Sequence, residues 1–138
     1  MIKLADYSPA ILRFIKTNDL ACLYVFAVAG RQPCKIGHAL NLRHRHGLVQ
    51  EAHAEEITIE HITWCPSAAT AALIAEGIRH KLGVSTGRAG WYNIQPVLAI
   101  ETVRKACAQF PSRGIVEHEA FLAQAAAVGF TVPVARFA

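Results

Sequence analysis

Four side chains able to do chemistry are strung along this chain: Tyr24, Lys35 eleven residues later, Arg45 ten residues beyond that, and Glu76 inside a later apolar segment. A guanidinium offers a rigid, permanently charged fork to phosphate oxygens, which an ammonium cannot duplicate. A carboxylate is a hard oxygen ligand, and one is enough for a divalent ion whose shell is completed by water and phosphate. A phenol donates and accepts hydrogen bonds, but a pKa near 10 makes it a poor base unless a cation shifts it. Such a set could handle a phosphodiester, whose cleavage gathers negative charge on the non-bridging oxygens and the leaving group.

The surroundings of the first three residues are basic. Between Asp19 and Glu51 there is no acidic residue, while Arg31, Lys35, Arg43 and Arg45 lie there with His38, His44 and His46. Such a window is expected where a polyanion docks; the plainer reading is a solvated basic face. Net charge is a modest +4, so placement matters more than size. At 138 residues, 53% apolar and 17% charged, the chain fits one compact domain rather than a disordered tail. No apolar stretch is long enough and free enough of charge to span a bilayer, and Asp6 interrupts the start where a signal peptide would stay apolar. A soluble, cytoplasmic protein is the expectation. Cys22, Cys34, Cys65 and Cys107 form no C-x-x-C pair and read as reduced thiols in or near the core. His44 and His46 make an H-x-H, but alternate residues share a face on a strand and not on the helix expected there, so zinc is not expected.

Capping and periodicity outline the elements that must position these groups. Ser8-Pro9 opens a helix with Ile11, Leu12, Phe14 and Ile15 as its apolar positions, ending at Asn18-Asp19. Residues 21–28 read as a buried strand, Ala29 to Pro33 as a turn, and Cys34 to Gly37 as a short returning strand. Asn41 caps a helix that carries Arg43 and Arg45 to about Gln50. Residues 56–64 alternate as a third strand, with Ile57, Ile59 and His61 to one side and Thr58, Glu60 and Ile62 to the other. A helix over 67–82 buries Ala71, Ile74, Ala75, Ile78 and Leu82 and closes at Gly83. Ser85 to Gly90 is expected as a mobile polar loop, Trp91 to Ile94 as an anchor, and two further helices from Pro96 to Phe110 and over 117–128. The expected fold is α/β: a small antiparallel three-stranded sheet flanked by helices, in the order β-β-α-β-α-α. Its body spans residues 21–110, with a helical extension over 1–20 and a helical appendage over 111–138.

Leu23-Tyr24-Val25-Phe26 followed by Lys35-Ile36-Gly37 resembles the paired signature of the GIY-YIG nuclease superfamily, most of all its phage-associated branch whose second motif reads KIG. Arg45 stands where that family has its helix arginine. Glu76, with His80 one turn later, matches the metal-binding glutamate and the E-x-x-x-H of this branch. Trp91-Tyr92 matches an aromatic pair, and Asn93 a late asparagine. The resemblance covers roughly residues 21–107. It implies a GIY-YIG-like fold and a metal-dependent endonuclease that hydrolyses DNA phosphodiester bonds with a single Mg²⁺ or Mn²⁺. It further implies Tyr24, Lys35, Arg45 and Glu76 as catalytic residues, with Tyr24 near the attacking water and Glu76 as the metal ligand. Arg31, His38, Arg43, His46, His80 and Asn93 are the candidates for nucleic-acid contact, with DNA the expected partner and RNA left open.

The chain departs from the family pattern at Lys35, because a tyrosine donates and accepts hydrogen bonds and a protonated lysine only donates. Lys35 could lower the pKa of Tyr24, hold a phosphate directly, or mark a domain that binds nucleic acid without cutting it. The opening glycine of GIY is absent too, with Cys22 and Leu23 in that region. A catalytically inactive GIY-YIG-fold nucleic-acid-binding module is therefore the alternative. Structural roles compete at each position: Tyr24, Trp91 and Tyr92 as core, and Glu76 with His80 as a solvated i, i+4 pair. The apolar run from Phe121 to Phe130 also leaves open a homodimer through the C-terminal helices.

Overall fold

In a computed structural model of the chain, residues 2–83, 90–110 and 114–127 are described. The strand expected over 21–28 is its centre. β1 (Ala21–Val28) has no polar residue to offer water except the Tyr24 hydroxyl, and side chains alternate across a strand, so both faces must be covered. Cys22, Tyr24 and Phe26 enter one apolar cluster, while Ala21, Leu23, Val25 and Ala27 enter a second. The chain therefore folds as three layers, a mixed α/β arrangement with helices on both faces of one antiparallel sheet.

β1 pairs with β2 (Arg31–Ala39) and with β3 (Ile57–Cys65). The hairpin turn is only Ala29-Gly30, both at positive φ (51° and 74°), which suits a tight two-residue connection. β2 thus begins earlier than its apolar pattern indicates, because Gln32 and Pro33 fall in an irregularity of the β1–β2 ladder, where a proline's missing N–H costs nothing. Among the described residues the expected three strands become five, in the order β4-β2-β1-β3-β5. β4 (Trp91–Tyr92) extends the β2 edge and β5 (Val116–Glu117) the β3 edge. Each is two residues long, too short for a period of two to show in a sequence.

β3 corrects a second expectation. Val25 pairs with His61 but Phe26 pairs with Ile59, so Glu60 is the extra residue of a β-bulge. The bulge reverses the alternation beyond it. Ile62 and Trp64 therefore join Ile57 and Ile59 in one cluster, and His61 leaves on the opposite face. Among the described residues, Glu60 Oε2 is buried without a hydrogen-bond partner.

α1 (Pro9–Thr17), capped by Ser8, and α2 (Leu42–Glu51), capped by Asn41, pack on the Tyr24 face through Ile11, Phe14, Ile15, Leu42 and Val49. α3 (Ala68–Leu82), capped by Ser67, and α4 (Pro96–Gln109) pack on the other face through Ala71, Ile74, Ile78, Ala99 and Val103. Ala75 and Leu82, expected on α3's buried stripe, are half-buried. α5 (His118–Ala127) returns to the Tyr24 face, where Phe121 is 1% exposed within the chain's own core. The loop expected over 85–89 and the tail from residue 128 lie outside the described residues. No helix among the described residues is long and apolar enough to cross a membrane, and all four cysteines are free.

A polar chain ties the two ends together inside this core. Trp64 Nε1 donates to the Tyr7 hydroxyl (3.1 Å), which is hydrogen-bonded to His118 Nδ1 (2.6 Å), leaving His118 Nε2 to face Asp6 Oδ2 at 3.5 Å. Burial lowers the pKa of His118 despite the attraction of Asp6 and Glu119, and burial likewise lowers that of His61. The unfolded chain then binds more protons than the folded one below the ordinary histidine value, about 6.5, so stability is fully present above it and is lost as pH falls. The melting temperature is expected to drop between about pH 7 and about pH 5, with a shallower dependence in His61→Gln. Thermal unfolding across that range checks it; a flat profile would contradict the assignment.

Candidate functional site

The β1–β2 register sets Gly37 directly opposite Tyr24. A Cβ at residue 37 would lie 2.7 Å from Tyr24 Cζ, so the ring occupies space that any other side chain at 37 would fill. Tyr24 also stacks on Phe26, ring centroids 4.1 Å apart at 20°, and is only 2% exposed. Burial pushes its pKa up to about 12, with the Arg45 guanidinium pulling in the opposite direction and Cys22 adding to the rise. At neutral pH this group is a protonated phenol, a hydrogen-bond donor beside a fixed cation.

Arg45 comes from the first turns of α2, where the Asn41 side chain accepts from the His44 N–H at 3.0 Å and starts the helix. Its guanidinium is exposed. Lys35 pairs with Phe26 and Trp91 across the strands, with Nζ 5.8 Å from the Trp91 ring centroid, a cation–π arrangement. The Arg45 charge acts on Tyr24 and favours its ionised form. His53 packs on Trp91 at 5.1 Å between ring centroids. His46 donates from Nε2 to the Ile57 carbonyl at 2.8 Å and sets its ring edge against Phe26, which pins α2 to β3. Arg43 is exposed on α2, and Arg31 is exposed at the far end of β2 in an ion pair with Glu55 at 3.4 Å.

Glu76 lies on α3, which covers the opposite face of the sheet. Its Oε1 is shared by Arg79, in a short hydrogen-bonded ion pair, and by His80 Nε2 at 3.4 Å. The Arg79 hydrogen bond, then its charge and that of His80, hold the carboxyl below its ordinary value, so it is ionised at neutral pH. Tyr92 sits in the field of the same pair: burial raises its pKa, Arg79 lowers it and Glu76 raises it. His38 pairs with Leu23, whose side chain belongs to the α3 face, so His38 leaves the sheet on the Glu76 side. Asn93 is exposed just beyond β4.

The residues predicted as one constellation therefore fall into two groups. Tyr24, Lys35, Arg45, Arg43 and His46 belong to the α2 face, and Glu76, His80 and His38 to the α3 face. β4 stands at the edge between them: Trp91 is turned to Lys35 and His53, and Tyr92 to Glu76 and Arg79. Arg79 and His53 were missed from the sequence. The spacing of Glu76 and Arg79 is an i, i+3 signal that was available, whereas nothing local links His53 to Trp91. The ion implied by the family resemblance needs hard oxygens, and Glu76 is 49% exposed and ionised, which fits a site of one carboxylate with water and phosphate. Arg79 and His80 compete for the same oxygen. Among the described residues no cluster of three or more His, Cys, Asp or Glu side chains could form a protein cage.

Comparison of the chain with protein-family models, with curated proteins and with solved structures finds no match.

Two outcomes follow from this geometry. Gly37→Ala should cost about 1–3 kcal/mol by forcing the Tyr24 ring aside, whereas Gly47→Ala, in α2 with nothing within 4 Å of its Cβ position, should stabilise by about 0.5–1 kcal/mol. Chemical denaturation of both variants checks the contrast. In a spectrophotometric titration all three tyrosines, each raised in pKa, should ionise above the ordinary value of 10. Arg45→Ala should push Tyr24 higher still.

Proposed function

We propose that the chain is a metal-dependent endonuclease of GIY-YIG type that hydrolyses DNA phosphodiester bonds at the β2–β4 edge of the sheet. The observation that carries this reading is the Tyr24–Gly37–Arg45 arrangement: a buried phenol laid over a glycine, beside an exposed guanidinium. Arg45 meets the non-bridging oxygens of the scissile phosphate, and the Tyr24 hydroxyl donates to the same group. A phenol with a pKa of about 12 does not remove the proton of the attacking water at neutral pH, so Tyr24 is a donor here and not the general base. Lys35, held on Trp91, adds positive charge for the DNA backbone, with His38 on the other face and the exposed Asn93 just beyond β4 as further contacts. Glu76 is the residue that would hold Mg²⁺ or Mn²⁺. When bound, the ion supplies charge neutralisation at the leaving oxygen.

A second reading, a nucleic-acid-binding module without cleavage, is favoured by one specific observation. Glu76 is already engaged by Arg79 and His80, on a helix that covers the face opposite Arg45. Lys35 in place of the motif tyrosine agrees with it.

Purified protein with supercoiled plasmid separates the two. Nicking that needs Mg²⁺ or Mn²⁺ and falls at least about a hundredfold in Arg45→Ala and Glu76→Gln, as when a single transition-state contact is removed, is the expected result. Unchanged nicking by Glu76→Gln would remove the metal role. Retardation of plasmid without nicking, insensitive to chelator and weakened by salt, would establish the binding module.

A further inference from the structure

A cavity of about 450 Å³ opens between the N-terminal segment and the turn from β2 into α2, a size within the range of small-molecule pockets. Leu4, Leu12, Ile15, Leu20, Leu40 and Trp64 form its apolar walls. Leu40 is 60% exposed, an apolar side chain that water would otherwise wet. The buried polar atoms of the lining are already engaged: Trp64 Nε1 donates to the Tyr7 hydroxyl, which is hydrogen-bonded to His118 Nδ1. The exposed Asn41 accepts from the His44 N–H through its side-chain oxygen. A sugar or nucleobase would bury its polar edges here without partners, at a cost that an aliphatic chain does not incur.

The charged part of the lining is cationic in balance. Lys16 and Arg43 both line the cavity and both are exposed, against the single carboxylate of Asp19 in the lining. Among the described residues neither cation is in an ion pair. Arg43 is two residues from Arg45, which places the two guanidiniums on different sides of α2 and leaves Arg43 to the cavity.

We propose that this cavity binds a free aliphatic monocarboxylate, with its chain against the leucines and Trp64 and its carboxylate at Lys16 and Arg43. The site is separate from the Tyr24–Arg45 arrangement and stands whether or not the chain cuts nucleic acid. Decanoate is the probe, and decanol is the uncharged control of equal length. Trp91→Phe leaves Trp64 as the sole indole of the two in the sequence, so its emission reports the cavity directly. Decanoate should change that emission saturably below its micellar concentration. The affinity should fall at least tenfold for decanol, and at least tenfold for decanoate in the Lys16→Gln, Arg43→Gln double variant, whose substitutions are on the surface. Calorimetric titration of the wild-type chain should return the same decanoate affinity. No saturable binding by either method overturns the proposal, as does equal affinity for decanol or an unchanged affinity in the double variant. Binding to phosphatidylglycerol vesicles in place of free decanoate would overturn it as well, by making the cavity a membrane contact.

Discussion

β1 is buried on both faces, and the other elements are arranged to satisfy it. A strand of alanine, cysteine, leucine, valine and aromatic side chains exposes apolar surface in both directions until something covers it, at roughly 25 cal/mol for each Å² left wet. Antiparallel partners on either side satisfy its backbone. α1, α2 and α5 close one face and α3 and α4 the other. Because the ladder fixes which residues stand opposite one another, it also fixes the candidate chemistry. Tyr24 faces Gly37 by register, and a slip of one residue would set the ring against a side chain and turn its hydroxyl to the wrong face.

The same layering leaves the charged candidates within reach of water. Arg45, Glu76 and His80 sit exposed on helices, and Lys35, on β2 between β1 and β4, is half-buried against Trp91; fully buried, each would need a dedicated partner. Of the four candidate catalytic residues, the phenol of Tyr24 is the one drawn inside, and its raised pKa is the consequence. β4 then gains importance out of proportion to its length. Its consecutive side chains point to opposite faces, so Trp91 organises Lys35 and His53 while Tyr92 lies with Glu76 and Arg79.

The network of Asp6, His118, Tyr7 and Trp64 explains how the two ends of the chain become part of one core. Tyr7 and Trp64 bring polar atoms into an apolar cluster, and each is tolerated because it finds a partner. The helices at both ends, which from the sequence read as an extension and an appendage, contribute Phe14 and Phe121 to that cluster, their rings 6.3 Å apart.

The sequence by itself determined the helices and the central hairpin. Asn41 caps as expected, Ser8 and Ser67 cap helices expected to open at those residues, and the burial of residues 21–27 follows from their composition alone. These features are local: a cap acts within one turn, and an apolar run is visible without knowing its partners. The tertiary structure decided what depends on pairing. The bulge at Glu60 sends His61 and Ile62 to faces that simple alternation reverses, because an unpaired residue leaves no mark on its own strand. The two edge strands exist only through the ladders they join. Tyr24, Lys35 and Arg45 could be picked out by type and spacing, as could Glu76. That α2 and α3 lie on opposite faces, dividing those residues into two groups, is set by the long-range packing of helices on a sheet, to which spacing along the chain is blind.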